Sequence, residues 1–328
     1  MSSPRAKSGW TPPILVKARP RMTDVLSQMA TQEQLESITC IQWASRARHM
    51  YMRHRKLWEF AYILQALEEA GCLVPGKRGL GFGVGREPLS AVMASRGCEV
   101  VATDLGSEAA KGQAWIASNQ HASALEDLND RGICDRDRFR RLVTFRPTDM
   151  NDIPEDLTGF DFLWSSCAME HLGSIEAGMQ FVRNSMRCLK PGGIAVHTTE
   201  YNLQSNRATL TQGTVVIFRR RDLEDLAGGL LADGHEIVLN FTPGDGELDR
   251  TVDRPPYSDA RHLVLLVGDC VVTSFGLVIR KQGGDTAYSP LRVAERARGR
   301  AWRRIEGLPG AVRRWLRSFA GAFPSGRR

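Results

Sequence analysis

The chain has 328 residues, 42% of them hydrophobic and 25% charged, with a formal net charge of +7. That length can build a full hydrophobic core, and that composition excludes a low-complexity or disordered chain. The charge is lopsided: eleven arginines against two glutamates fall between Pro290 and Arg328, so the remainder is slightly acidic and the whole-chain charge does not by itself imply a nucleic-acid partner. No apolar run reaches the roughly eighteen residues that cross a bilayer, and the first residues lack the apolar stretch of a secretory signal. The seven cysteines are scattered, with no C-x-x-C pair and no short spacing to histidine. They read as reduced, mostly buried thiols of a cytoplasmic protein, with no metal site.

In chain order, residues 1–22 have the Pro-, Ser- and Arg-rich composition of a flexible terminus. Residues 23–75 predict a helical extension. Leu26, Met29, Leu35, Ile38 and Ile41 recur near helical spacing, and Leu57 to Leu67 is apolar on most sides, as in a packed helix. Gly79 to Phe82 has little side-chain bulk, which suits a buried parallel strand. Gly81, Gly83 and Gly85 then alternate as G-x-G-x-G, a spacing that lets backbone approach a ligand. Pro88 suits the first turn of a helix carrying Leu89, Val92 and Met93, which Gly97 ends. Cys98 to Thr103 is a second strand. It ends at Asp104, about twenty residues past the turn, where a doubly wound fold sets an acid against a ribose hydroxyl.

The stretch 107–132 predicts one or two polar helices, with Gln113, Trp115 and Ile116 as candidates for an adenine-facing side. Leu142 to Phe145 is a third strand, followed by a turn that holds Asp149 and Met150. Phe160 to Ser165 is a fourth strand, and Ser166 to Leu172 continues from it. Gly173 to Leu189 is amphipathic at helical spacing. Lys190-Pro191-Gly192-Gly193 turns into a fifth strand, Ile194 to Thr199. His235 to Phe241 predicts a sixth, and Cys270 to Arg280 an antiparallel strand that completes the sheet. Gln282 to Asp285 marks a domain end. Beyond it, Trp302, Ile305, Leu308, Val312, Trp315, Leu316 and Phe319 alternate with arginines. Such a segment can lie on an anionic bilayer or follow a nucleic-acid backbone.

The G-x-G-x-G turn with its distal acid, Phe160-Asp161 opening the fourth strand, Glu170-His171 after it and Leu189-Lys190-Pro191-Gly192-Gly193 before the fifth resemble the class I S-adenosylmethionine (SAM) methyltransferases. They do so in order and spacing over residues 77–200. The dinucleotide fingerprint G-x-G-x-x-G fails, because its third glycine position is Arg86. The resemblance implies an α/β, Rossmann-like doubly wound sheet of seven strands, mostly parallel with the last antiparallel. That domain would span residues 76–282, after the helical extension and before a basic amphipathic tail at 283–328. It implies SAM as cofactor, bound by Gly81, Gly83, Gly85, Asp104, Leu105, Asp149, Met150 and Ser166. The chain departs from the family at Gly79, where an acid usually stands two residues before the first glycine. Any contact from that acid to the methionine amino group must be replaced or absent.

Methyl transfer needs positioning and, for a hydroxyl acceptor, a base. His171, at the carboxyl end of the fourth strand, is the first candidate, with Glu170 as its orienting partner. Glu200 and Tyr201 at the end of the fifth strand are second candidates, and His197 lies within the strand. The stretch from Trp164 to His171 loosely resembles methyltransferases of bacterial glycan assembly. That resemblance implies O-methylation of a sugar or small-molecule hydroxyl, with peripheral inner-membrane contact through residues 290–328. The slightly acidic core argues against nucleic acid. Two other readings stay open: a nicotinamide-dependent oxidoreductase or epimerase, which the failed fingerprint and the lack of a Tyr-x-x-x-Lys pair disfavour, and a non-catalytic binding module.

Overall fold

The computed structural model describes residues 10–106, 122, 124–258, 261–284 and 288–306. Its strands are β1 (Leu15–Val16), β2 (Ser27–Met29), β3 (Arg78–Phe82), β4 (Glu99–Asp104), β5 (Val143–Pro147) and β6 (Phe160–Ser166), then β7 (Leu189–Asn202), β8 (Glu236–Ile237), β9 (Leu239–Asn240), β10 (Val252–Asp253), β11 (Val264–Val267) and β12 (Cys270–Arg280). Its α-helices are α1 (Gln32–Leu35), α2 (Ile38–Arg46), α3 (Arg55–Glu69), α4 (Leu89–Ser95), α5 (Arg136–Leu142), α6 (Ile175–Ser185), α7 (Arg220–Ala232), α8 (Glu247–Arg250) and α9 (Pro290–Glu306). None of these helices is long and apolar enough to cross a membrane.

One sheet organises the molecule, in the order β1-β9-β2-β12-β7-β6-β3-β4-β5. Strands β5, β4, β3, β6 and β7 run parallel, and β12 runs antiparallel to β7 from Val272 opposite Asn202 to Arg280 opposite Ile194. The chain therefore winds outward from β3 through β4 to β5, returns to β6, and winds the other way through β7. A crevice opens where that direction reverses, at the carboxyl ends of β3 and β6, and such crevices take ligands in open α/β sheets. Phe162 and Trp164 of β6 are fully buried, and Gly79 and Gly81 of β3 make room for them. A Cβ on Gly79 would lie 2.4 Å from the Phe162 ring, and one on Gly81 would lie 2.4 Å from Trp164.

The doubly wound sheet with its antiparallel closing strand agrees with the sequence expectation, but it is wider than seven strands. Twelve strands join it, because β1, β2, β9 and the β10–β11 pair extend its far side. Two extra strands come from where no strand was expected. Leu15–Val16 pairs with β9 although residues 1–22 read as flexible, and Ser27–Met29 pairs with β12 although residues 23–75 read as helical. Helical spacing of Leu26 and Met29 misled there: β2 is buried at all three residues, and burial on both faces erases the alternation that marks a strand. The Lys190–Gly193 turn is a protrusion within β7. Phe160 lies opposite Leu189 but Phe162 lies opposite Ile194, so four residues loop out beside Asp161.

Helix α3 explains the apolar run from Leu57. Ten of its fifteen residues are buried, and it packs against β7 and β12. The basic segment after residue 283 also differs from the expectation of a separate tail. The Tyr288 hydroxyl donates to the Val25 carbonyl at 2.6 Å, Ser289 donates to Glu236 at 2.5 Å, and Val293, Ala294 and Ala297 are buried. Arg296 pairs with Asp24 at 3.3 Å. The first half of α9 is thus part of the folded body. The candidates Gln113, Trp115 and Ile116, and the segment from residue 307 onward, lie outside the described residues.

Candidate functional site

The glycine turn leaves β3 with Gly83 at φ +57° and Gly85 at φ +51°, left-handed geometry that glycine adopts without steric cost. A Cβ on Gly83 would come 2.9 Å from that of Ala168 and 3.2 Å from Met150 Sδ, so this glycine also lets two loops meet. Asp104, at the end of β4, is buried beneath the turn. Its carboxylate accepts from the backbone N–H of Gly85 at 3.1 Å, of Leu105 at 2.8 Å and of Ala122 at 3.3 Å. Three such donors fix the carboxylate in place.

These elements wall a cavity of 660 Å³, within the range of small-molecule sites. Gly83, Gly85, Asp104, Leu105, Asp149, Met150, Ser166 and His171 all line it, so the crevice gathers most of the residues singled out in the sequence. Asp149 lies in an Asx turn, where its carboxylate accepts from Asn151 N–H at 2.8 Å, while Met150 is buried beside it. Gly81 and Glu170 are not in the wall. Gly81 sits inside β3 under Trp164, where it is a packing residue.

Glu170 and His171 interact electrostatically as neighbours, with His171 opposing the effect of burial on the acid. The Glu170 side chain is fully buried and accepts from the Thr199 hydroxyl at 3.1 Å, and burial raises its pKa. The neighbouring imidazole is oriented by backbone: His171 Nδ1 lies 2.8 Å from the Thr214 carbonyl. His197 is a structural residue. It is fully buried, bonded through Nδ1 to Ser165 at 2.8 Å, and burial pushes its pKa down to about 3.

Charges that the sequence reading passed over converge on the same end of the sheet. Lys56 Nζ stands 2.7 Å from Glu59 and 3.6 Å from Glu87, and Arg55 pairs with Glu200. Burial would raise Glu59, but Lys56 and Arg55 outweigh it and hold that acid at about 2; the Ser274 hydroxyl donates to it at 2.6 Å. Glu87 is pushed up to about 8 by burial, against the pull of Lys56. Cys167, at φ +46°, holds a strained backbone over the cavity. Its sulfur and one oxygen each of Glu170 and Glu200 lie within 4.8 Å of one another, with the Arg55 guanidinium already against Glu200. His54, on the cavity wall, stacks on His262 with ring centroids 4.3 Å apart, and burial lowers its pKa to about 4. The legible signal for this cluster was Glu59 itself, a lone acid inside an apolar helical run.

Residues 80–197 match the methyltransferase-domain family. No curated protein sequence matches the chain. Among solved structures it is similar to the CcbJ methyltransferase of Streptomyces caelestis, at 11% identity over 67% of this chain and 94% of that one, with a TM-score of 0.37. It is similar to a SAM-dependent methyltransferase of Clostridium acetobutylicum, at 10% identity over 70% and 92%, TM-score 0.39. A third likeness is to phosphoethanolamine N-methyltransferase 2 of Haemonchus contortus in complex with SAM, at 18% identity over 57% of this chain and 40% of that one, TM-score 0.37. The residues present fit S-adenosylmethionine, the cofactor that the motifs imply: a glycine turn open to close approach, a fixed acid at Asp104, an apolar neighbour in Met150, and a buried carboxyl group of Glu87 in the cavity wall. Over residues 80–197 the chain thus matches the methyltransferase-domain family, a match that supports S-adenosylmethionine as the cofactor.

Proposed function

We propose that the protein methylates a hydroxyl group of a sugar, glycan or other small molecule, with His171 as general base. The observation that carries this reading is the shared wall: His171 and the glycine turn line one cavity. A carbonyl oxygen can only accept, so Nδ1 carries a proton in the contact of His171 with Thr214, and in the neutral imidazole the lone pair is then on Nε2. A hydroxyl is a poor nucleophile until a base draws off its proton, and an imidazole with that tautomer supplies one. SAM, when bound, supplies a methyl group on an already activated leaving group. Gly83, Gly85 and Asp104 would hold its nucleoside part, and Met150 would face its base. The protein's own work is then to align the acceptor, exclude water and take up the proton at His171.

The test is transfer of labelled methyl from SAM to a panel of sugars, glycan fragments and small alcohols, with the product linkage read by mass spectrometry. A base-stable methyl ether supports the reading, and a methylated amine or carboxylate would overturn the hydroxyl acceptor. Asp104→Ala is the control: loss of a buried charged hydrogen-bond partner should weaken SAM binding about tenfold to a hundredfold by titration calorimetry.

The acceptor reading extends to the membrane surface. The arginine-rich stretch after Glu306 would bring the domain to anionic lipid, each arginine contributing about 1 kcal/mol near the surface. Because α9 is anchored through Tyr288 and Arg296, the test removes only residues 307–328. Cosedimentation with anionic vesicles should fall and SAM affinity should hold; undiminished cosedimentation would remove the idea.

A further inference from the structure

The position where the family carries its acid cannot hold one here. Gly79 is paired on both sides within the sheet, and a Cβ on it would lie 2.4 Å from two atoms of the Phe162 ring. A carboxylate nevertheless stands in the cavity wall. Glu87 follows Gly85 by two residues and precedes α4, so the glycine turn itself delivers it. Its Oε2 is buried, the carboxyl group has the Ser166 hydroxyl near it in a contact too weak to offset burial, and its Oε1 lies 3.6 Å from Lys56 Nζ.

Lys56 is held more closely by Glu59, at 2.7 Å, and Glu59 is fully buried. One ammonium therefore faces two carboxylates, and the group is short of one positive charge when both acids are ionised. Burial pushes Glu87 up to about 8, as expected of an acid without enough compensation. A buried acid of this kind is satisfied by a ligand that brings a cation and N–H donors.

We propose that Glu87 is the anchoring acid for the cofactor: it gives its proton to solvent as the ligand enters, and its carboxylate receives the α-ammonium of the methionine moiety, in place of the acid absent at Gly79. The inference rests on SAM binding in this cavity. It makes Glu87 a binding residue, and it makes Lys56 the group that sets how negative Glu87 is. The family's anchoring contact is then moved from the strand before the turn to the helix entry after it.

The test is titration calorimetry of the full chain, wild type and Glu87→Gln, with two ligands. S-adenosylhomocysteine carries the amino-acid moiety; 5′-methylthioadenosine lacks it. Glu87→Gln should weaken the first about tenfold or more and leave the second within about twofold. Retained methylthioadenosine binding also reports that the variant's cavity is intact. Equal weakening of both ligands would assign Glu87 to packing and overturn the inference, as would an unchanged affinity for S-adenosylhomocysteine. Should the variant fail to fold, the wild type decides: it must discriminate about tenfold against an S-adenosylhomocysteine analogue whose amine is replaced by hydrogen, and indifference would overturn the inference. Wild type that binds neither nucleoside would instead sink the cofactor site itself.

Discussion

His171→Ala should lower the methyl-transfer rate at saturating substrates about 10²- to 10⁴-fold, the usual worth of a positioned general base, while SAM affinity stays within about twofold. The separation follows from where the imidazole is held. Its Nδ1 is engaged with Thr214 in the segment leading to β7's neighbour Phe218, and the glycine turn, Asp104 and Asp149 reach the cofactor side from other strands. Removing the ring takes away a proton acceptor and leaves the nucleoside wall intact. Stopped-flow single turnover, with calorimetry for SAM, checks both halves. An unchanged rate would mean that the acceptor needs no base or uses Glu200, and a parallel loss of SAM affinity would mean that His171 acts through the shape of the cavity.

Lys56→Met should destabilise the fold by about 3–5 kcal/mol, because it removes the ion-pair partner of a buried carboxylate. A midpoint drop on the order of 10 °C is the expected reading by calorimetry. Glu59 is fully buried and, with Lys56 gone, keeps only the Ser274 hydroxyl bond and the field of Arg55. The pH dependence has a definite sign. In the wild type the folded pKa of Glu59 is about 2, below its ordinary value of 4.5, so its stabilisation is present above 4.5 and is lost as pH falls toward 2. In the variant burial dominates and the folded pKa lies above 4.5, so acid stabilises the variant relative to neutral pH. The gap between the two proteins should narrow as pH falls from 7 to 4. Adding Glu59→Gln to Lys56→Met should restore most of the loss at neutral pH, and a double variant no better than the single one would assign the damage to packing.

Much of the sheet was legible because its parallel core is marked in the sequence by punctuation as well as by apolar runs. Gly83, Gly85 and Gly97 stand between elements and the Lys190–Gly193 turn at the protrusion in β7, and Gly83, Gly85, Gly97 and Gly192 take the positive φ that glycine permits. The cofactor wall was legible for the same reason: Asp104 ends β4, Asp149 and Met150 follow the end of β5, and strand ends in this topology meet at one crevice. The far side of the sheet was not. Strands β1, β2 and β9 are two or three residues long and draw their partners from more than two hundred residues away, as Leu15 does from Leu239. No local period can announce such a pairing. The roles of Glu170 and Glu87 were hidden in another way. Both are acids next to motif residues, and only burial and partners tell them apart: Glu170 turns inward to Thr199 while Glu87 reaches the cavity.

Helix α3 belongs to two structures at once. Leu57, Trp58, Tyr62 and Ile63 are core residues with no solvent exposure, and Lys56 and Phe60 of the same helix line the cavity. A change of acceptor preference made by substituting this helix would therefore be charged against folding. Directed evolution toward new acceptors should accumulate its accepted changes instead at His49, Arg131 and Asn151, which reach the cavity from segments outside helix and sheet. The helix would stay fixed through such a campaign, and the enzyme would diversify by its rim.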